Sequence, residues 1–345
     1  MYNIIINRYL KNEKVIYLKT LVLSNKKRVE KYLKYCSVPK GMELIFMDCS
    51  CSDNEILLKA KDADFIFADA IKEVSGYLMK NMPNLKLIHS EGVAFNKIDI
   101  EAAKDLNIYV CNNKGANAGA VAEHTIFLML AMLRNALEGD LKVREGKQIE
   151  TKERMMLSGI TELADCKVGL IGFGAIAKET AKRLISFGTR TYYYSRTKAS
   201  EEVEKEYNVQ YKKLDELVRE CDIISLHVPI TKETTNMVDK AFLSKMKKTS
   251  FLINTARGEI VDQAALKAAL IKGEIAGAGL DTLSPEPVTL DNPLLSLPHE
   301  VKYKVLFTPH IGGTTEGAFR KMHQGVWANI TRVTSGEKPI NIVNL

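Results

Sequence analysis

The stretch KVGLIGFGAIA, from Lys167 to Ala177, runs from an apolar segment through two glycines into a helical pattern. Val168, Leu170 and Ile171 suit a buried strand, while Ile176, Thr180, Ala181 and Leu184 recur at helical spacing before Gly188 supplies a stop. A glycine turn between a strand and a helix is the context in which such a motif binds a dinucleotide. Gly172 permits the tight turn, and Gly174 lets the backbone approach a pyrophosphate. Ala177 replaces the third glycine and lets the helix lie close to the strand. The N–H groups that open the helix, at Ala175 and Ile176, then face the phosphates. Alone, the same residues fit an ordinary glycine turn. The elements on either side favour the nucleotide.

The next apolar run ends in YYYSRT, Tyr192 to Thr197. A ribose-binding acid belongs at about this distance from the glycines. Ser195, Arg196 and Thr197 stand there instead. A carboxylate would repel a 2′-phosphate, whereas Arg196 can pair with one and the two hydroxyls can donate to it. The sequence therefore favours NADP, with NAD possible, against the plainer reading of Arg196 as a solvated strand-end residue.

From there the pattern repeats in both directions. DIISLHV (222–228), SFLINTA (250–256), AGAGLD (276–281) and VLFTP (305–309) alternate with helical stretches. Upstream, ELIFM (43–47), DFIFA (64–68), LKLIH beginning at Leu85, and IYVCN (108–112) give a second, shorter alternation with helices expected at 53–60 and 99–106. Runs apolar on both faces and separated by helices predict parallel strands in α/β units. Gly119 to about Glu145 reads as one long helix, apolar enough in its middle to be buried on most sides. The register of residues 1–38 is not fixed by their pattern.

The 345 residues are enough for two domains, each with its own core. With 46% hydrophobic and 26% charged residues the composition is that of a globular protein. No window has the apolar length of a membrane span, and MYNIIINRYLKNEK lacks the pattern of a signal peptide. The net charge of +7 comes from dispersed lysines with acids interleaved, which suits small anions and gives no nucleic-acid footprint. Six scattered cysteines suggest a cytoplasmic protein with free thiols and no metal site.

Three further segments carry chemistry: NTARG (254–258), DTLSPEP (281–287) and TPHIGG (308–313). Each follows a predicted parallel strand, at the edge where α/β sheets collect ligands. Arg257 can clamp a carboxylate and polarise the adjacent carbonyl. His310 can supply or take a hydroxyl proton, with Glu286 orienting the imidazole and favouring its charged form. Each residue alone is more simply a loop residue; the three together form a site for a carbonyl acid. His124, on the apolar helix, reads as a core or interface histidine.

GFGAIA, SLHVPIT, NTARGEIVD, GAGLDTLSPEP and TPHIGG, in that order, resemble the D-isomer-specific 2-hydroxyacid dehydrogenases from about residue 85 onward. The resemblance implies a Rossmann-type domain at 115–313 and a flavodoxin-like substrate domain split between 1–114 and 314–345. It implies Arg257 as the substrate-binding arginine, His310 as the acid/base and Glu286 as its partner. His227, Val228, Pro229, Thr234, Thr255, Ala256, Gly312 and Gly313 would line the cofactor cleft, and Asp281 would hold the nicotinamide carboxamide. The loop EGVAFNKID (91–99) is similar to the family's carboxylate-binding loop, with Val93 and Ala94 at the amide positions, although Ala94 and Asn96 depart from the usual Gly and Asp. A homodimer, formed through the region of the apolar helix, is the family habit.

The expectation is an NADP-preferring 2-oxoacid reductase whose domains close to exclude water. Its alternatives are a phosphoglycerate dehydrogenase, for which the substrate loops lack a basic cluster beyond Lys97, and a non-catalytic NAD(P)-sensing, corepressor-like protein, for which a complete Arg–Glu–His set is unneeded.

Overall fold

The computed structural model describes residues 18–344. The chain divides into two compact units, one comprising the N-terminal segment through Ala116 together with Glu316–Leu345, the other Asn117–Thr315. Both are α/β, as the alternation of apolar runs and helices predicts.

The first unit is built on five parallel strands: β1 (Lys19–Leu23), β2 (Glu43–Met47), β3 (Phe65–Ala68), β4 (Leu87–Ser90) and β5 (Tyr109–Cys111). Their spatial order is β2-β1-β3-β4-β5, the flavodoxin-like order. β3 and β4 are fully buried, which explains why their runs show no polar alternation. Local chemistry sets the helices. Ser52 and Glu55 close a reciprocal capping box on the helix Asp53–Ala60, and Asn25 caps Lys26–Leu33. The last long helix, Glu316–Thr334, returns to this unit and buries Val326, Trp327 and Ile330 against Val22, Phe65, Phe67 and Leu87. Beyond it the chain covers the open edge of β5, where Asn344 accepts from the Val110 N–H and donates to the Ile108 carbonyl. Part of the uncertain N-terminal pattern resolves here as β1; residues 1–17 lie outside the described residues.

The second unit holds seven parallel strands: β6 (Lys167–Ile171), β7 (Arg190–Tyr194), β8 (Val209–Tyr211), β9 (Ile223–Leu226), β10 (Phe251–Asn254), β11 (Gly277–Leu280) and β12 (Val305–Phe307). The order β12-β11-β10-β9-β6-β7-β8 is that of a doubly wound Rossmann sheet with one further strand. β6 and β9 are neighbours, so the order reverses beside the glycine turn, where such folds bind ligands.

One expectation fails. Gly119–Glu145 is not a single helix: Ala118–Leu133 and Ala136–Arg144 meet at a bend of 60°. Asn135 sits between them in the left-handed region at φ 48°, a conformation that Asn tolerates better than most residues. Apolar content continues across the bend, so hydrophobicity alone concealed it. The first segment is the buried one, with Leu128 and Met129 in the core, whereas Ala136–Arg144 buries no residue. Among the described residues no single helix is long and apolar enough to cross a membrane.

Candidate active site

The glycine turn is strained for any other residue. Gly172 has φ +94°, and a Cβ there would lie 2.4 Å from the His227 carbonyl oxygen. Its N–H donates to the Tyr194 carbonyl at 2.8 Å, so the turn is welded between β7 and β9. Gly174 caps the helix Ala175–Ser186 without a side-chain bond, and the space where its Cβ would stand is open. These are the features a pyrophosphate needs: unoccupied N–H groups at a helix start and no side chain above them. Ala177, in the first turn of that helix, is fully buried.

In YYYSRT the three tyrosines alternate, as a strand requires. Tyr193 is buried, stacks on Phe173 with ring centres 4.2 Å apart, and donates its hydroxyl to Glu204 at 2.8 Å. Ser195 donates to the Thr197 carbonyl at 2.5 Å, closing a small turn from which the exposed Arg196 projects.

Along the same edge, the His227 N–H donates to Ile171, its ring lies 2.9 Å from the Ser225 hydroxyl, and burial pushes its pKa down to about 4. It is therefore neutral at pH 7. Val228 packs against Gly172, and the Pro229 carbonyl accepts from the Thr234 hydroxyl at 2.6 Å. The Thr255 hydroxyl meets that of Thr125 at 2.9 Å.

Arg257 leaves β10 on a turn organised by Asn254, whose side chain donates to the Arg257 carbonyl and accepts from the Ala256 N–H. Among the described residues the guanidinium donates from Nη1 to the Ala256 carbonyl at 2.7 Å. Gly258 locks this turn to the segment after β11, because a Cβ there would come within 2.1 Å of the Leu283 backbone. β10, β11 and β12 are hydrogen-bonded neighbours, so Arg257, Asp281 and His310 leave adjacent strands at one edge.

His310 and Glu286 are in direct contact: the His310 Nδ1 lies 2.8 Å from Oε2 and 3.0 Å from Oε1. The pair is 45% and 43% exposed, and the contact with Glu286 engages only the inner imidazole nitrogen. His310 adopts φ +54°, in the left-handed region. The turn is gripped by Asp281, whose backbone carbonyl accepts from the His310 N–H while its carboxylate accepts from Ile311 and Gly312 at 3.0 and 2.9 Å. Thr308 also donates to that carboxylate, and His124 approaches it to 3.2 Å. Burial opposes the charge of Asp281, but the bonds from His124, Thr308, Gly312 and Ile311 prevail and bring its pKa down to about 2. Gly313 backs onto Asn117 in the same unit.

The sequence reading did not assign Thr308 or His124 to this cluster. Thr308 opens the TPHIGG segment, but nothing in the spacing ties it to a residue 184 positions away.

Val93 and Ala94 belong to the first unit, on the loop after β4. Their carbonyls are both engaged, by the Asn112 side chain at 2.7 Å and the Ser90 hydroxyl at 2.6 Å. The loop begins at Glu91, which is 5% exposed and bound by Arg28, Ser24 and His323. Among the described residues no group of three His, Cys, Asp or Glu side chains could hold a metal ion.

Residues 126–312 match the model of the D-isomer specific 2-hydroxyacid dehydrogenase, NAD binding domain. A glyoxylate reductase of Thermofilum pendens is 38% identical over 293 residues, which cover 85% of each chain. One from Pyrococcus furiosus is 37% identical, covering 84% of this chain and 85% of that one. Among solved structures, the D-lactate dehydrogenase of Aquifex aeolicus, complexed with NAD and lactic acid, superposes with a TM-score of 0.78 at 29% identity, covering 95% of this chain and 99% of that one. The chain thus belongs to the D-isomer specific 2-hydroxyacid dehydrogenases. It is an NAD(P)-dependent oxidoreductase acting on CH–OH groups.

Proposed function

We propose that the protein reduces small 2-oxoacids to D-2-hydroxyacids, glyoxylate among them, with NADPH preferred over NADH. The observation that carries this reading is the Glu286–His310 pair, displayed at the strand edge that also presents Arg257. The bound nicotinamide supplies a hydride to the substrate C2. The chain's own groups do the rest. Arg257 binds the carboxylate and polarises the carbonyl, and its guanidinium keeps donors beyond the one given to Ala256. His310 hands a proton to the carbonyl oxygen, and Glu286 holds the imidazole in place and stabilises its cationic form. Reduction is then favoured at lower pH and oxidation at higher pH.

Cofactor binding falls to Gly172, Gly174, Ala175 and Ile176 for the pyrophosphate. His227, Val228, Pro229, Thr234, Thr255, Ala256, Gly312 and Gly313 form walls. Asp281 Oδ2, which accepts from Gly312 alone among the described residues, keeps a lone pair for the carboxamide. Ser195, Arg196 and Thr197 receive the 2′-phosphate. Val93 and Ala94 form the carboxylate-binding segment, their carbonyls tied back so that the N–H groups can donate.

A panel of 2-oxoacids, each assayed with NADH and NADPH by nicotinamide absorbance, tests this reading. Turnover of glyoxylate or a close relative with NADPH is expected. Cofactor binding without turnover of any oxoacid would overturn it.

The proposal includes a homodimer in the cytoplasm. Supporting it, Met156 and Leu157 on the helix Gln148–Ser158 are 65% and 90% exposed, with Ile149 and Val143 also outward. Apolar surface of this kind suits a partner copy. Sedimentation of the wild type against Met156→Ser/Leu157→Ser checks it; identical monomeric profiles would count against the dimer.

A further inference from the structure

We propose that His124 and Thr308 are positioning residues for His310, acting through Asp281; the proposal rests on the acid/base role given to His310 above. The turn that carries His310 holds an L-residue in the left-handed region, a conformation that persists only where its surroundings over-determine it. Beside the Thr308 carbonyl, which also accepts from the His310 N–H at 3.0 Å, most of the grip comes from one residue. Asp281 spans the turn with Oδ1 on the Ile311 N–H and Oδ2 on the Gly312 N–H, and its backbone carbonyl holds the His310 N–H. If the Asp281 carboxylate rotates, the Ile311 and Gly312 amides lose their partner and the turn that aims the imidazole is loosened.

The carboxylate is itself fixed from behind. Thr308 Oγ1 lies 2.5 Å from Asp281 Oδ1, and His124 Nε2 lies 2.8 Å from Thr308 Oγ1. A threonine hydroxyl has one proton. An ionised carboxylate can only accept, so that proton goes to Asp281. His124 Nε2 must therefore carry hydrogen and donate to Thr308, and to Oδ1 at 3.2 Å. The bonds run in one direction, from the helix Ala118–Leu133 through His124, Thr308 and Asp281 to the turn. His124 has little room to leave: its ring lies against Phe127 with centres 5.5 Å apart, and a Cβ at Gly312 would stand 3.4 Å from its Cδ2. A histidine that reads as core on the apolar helix is thereby tied to the turn that carries His310 by three successive hydrogen bonds.

The test is steady-state kinetics with glyoxylate and NADPH on the full chain. His124→Phe and Thr308→Val remove the donor or the hydroxyl with little change of volume. Each should lower kcat by about 10- to 100-fold, as expected for a misplaced catalytic group. KM for glyoxylate should stay within about twofold, because Arg257 is untouched, while KM for NADPH should rise alongside the fall in kcat, since the released Asp281 carboxylate is also the one assigned to the carboxamide. His124→Gln, whose amide nitrogen reaches the Nε2 position, and Thr308→Ser should regain most of the activity. The double variant His124→Phe/Thr308→Val should be no worse than the poorer single one, since both cut the same chain. Variants with wild-type kcat, a loss confined to KM, or a lower melting temperature with unchanged kcat would each overturn the proposal. An inactive wild type would instead overturn the reductase reading, and this inference with it.

Discussion

Each unit contains a glutamate bonded to a histidine at 2.8 Å, and the two pairs have opposite characters. Glu286–His310 is nearly half exposed and stands on a left-handed turn at a strand edge. Glu91–His323 has exposures of 5% and 0%, is ringed by Tyr32, Phe67 and Phe319, and shares its carboxylate with Arg28. The chemistry of the two side chains is the same. Only the first is exposed to solvent, since the remaining nitrogen of His323 is buried without a partner among the described residues, and the second joins the loop after β4 to the helices Lys26–Leu33 and Glu316–Thr334. For Glu91, burial alone would raise the pKa, and the hydrogen bonds from His323 and Arg28 draw it below the usual carboxylate range instead. Exposure therefore separates the pair proposed to move a proton from one that holds a fold.

Removing the imidazole is the sharpest way to break that contrast. His310→Ala should lower kcat by about 10²- to 10⁴-fold, the usual contribution of a positioned acid/base, with NADPH affinity and melting temperature nearly unchanged. Retained turnover in a rapid-mixing assay would remove His310 from the mechanism. The reciprocal variant acts on stability. Glu91→Ala leaves Arg28 and a buried His323 without their shared carboxylate, and should cost about 3–5 kcal/mol in urea unfolding. Glu286→Ala, at the exposed pair, should cost under about 1 kcal/mol. Equal losses at the two sites would erase the distinction.

A second buried histidine of the first unit sharpens it through pH. His89 is fully buried, and burial pushes its pKa down to about 4. The bonds agree: Nδ1 meets the Ser90 carbonyl at 2.8 Å, so it carries the hydrogen, and Nε2 accepts from Asn329 at 3.0 Å. Protonating Nε2 would break the second bond. Between about pH 4 and 6.5 the unfolded chain binds a proton there that the folded chain refuses, so stability rises with pH across this window and is flat above it. The contribution lost on acidification is on the order of 3 kcal/mol. Urea midpoints measured from pH 4 to 8 check it, and a His89→Asn variant with an undiminished slope would show that another group is responsible.

The legibility of the two regions differs for a physical reason. In the second unit the strands are short apolar runs followed at once by turns at one sheet edge, so Gly172, Arg257, Glu286 and His310 stand out as candidates by their place in the order. Strand β8, three residues long, and the bend at Asn135 left no comparable mark, because a short edge strand needs little apolar content and Asn adopts the left-handed region without a glycine. The Arg28–Glu91–His323 cluster was also invisible. Its members come from 63 and 232 residues apart and meet only because the last helix returns to the first unit. Charge at those positions reads as surface until the fold buries it.

The smallest effect expected is on the cofactor, and it asks how far an exposed edge sets specificity without touching the Glu286–His310 pair. Arg196 projects from the Ser195–Thr197 turn with its side chain in solvent, so the attraction for a 2′-phosphate proposed for it would act through a screened, charge-assisted contact. Ser195→Asp with Arg196→Ala places a carboxylate where the ribose hydroxyls lie and removes the cation. The ratio of kcat/KM for NADPH to that for NADH should fall by about 10- to 100-fold, corresponding to roughly 1.5–3 kcal/mol for a charged hydrogen bond lost. The kcat with the better cofactor should be unchanged, since the Glu286–His310 pair is left intact. Raising the salt concentration in the wild type should compress the same ratio. A ratio that ignores both salt and the double substitution would place the discrimination elsewhere along the edge and leave Arg196 as a solvated strand-end residue.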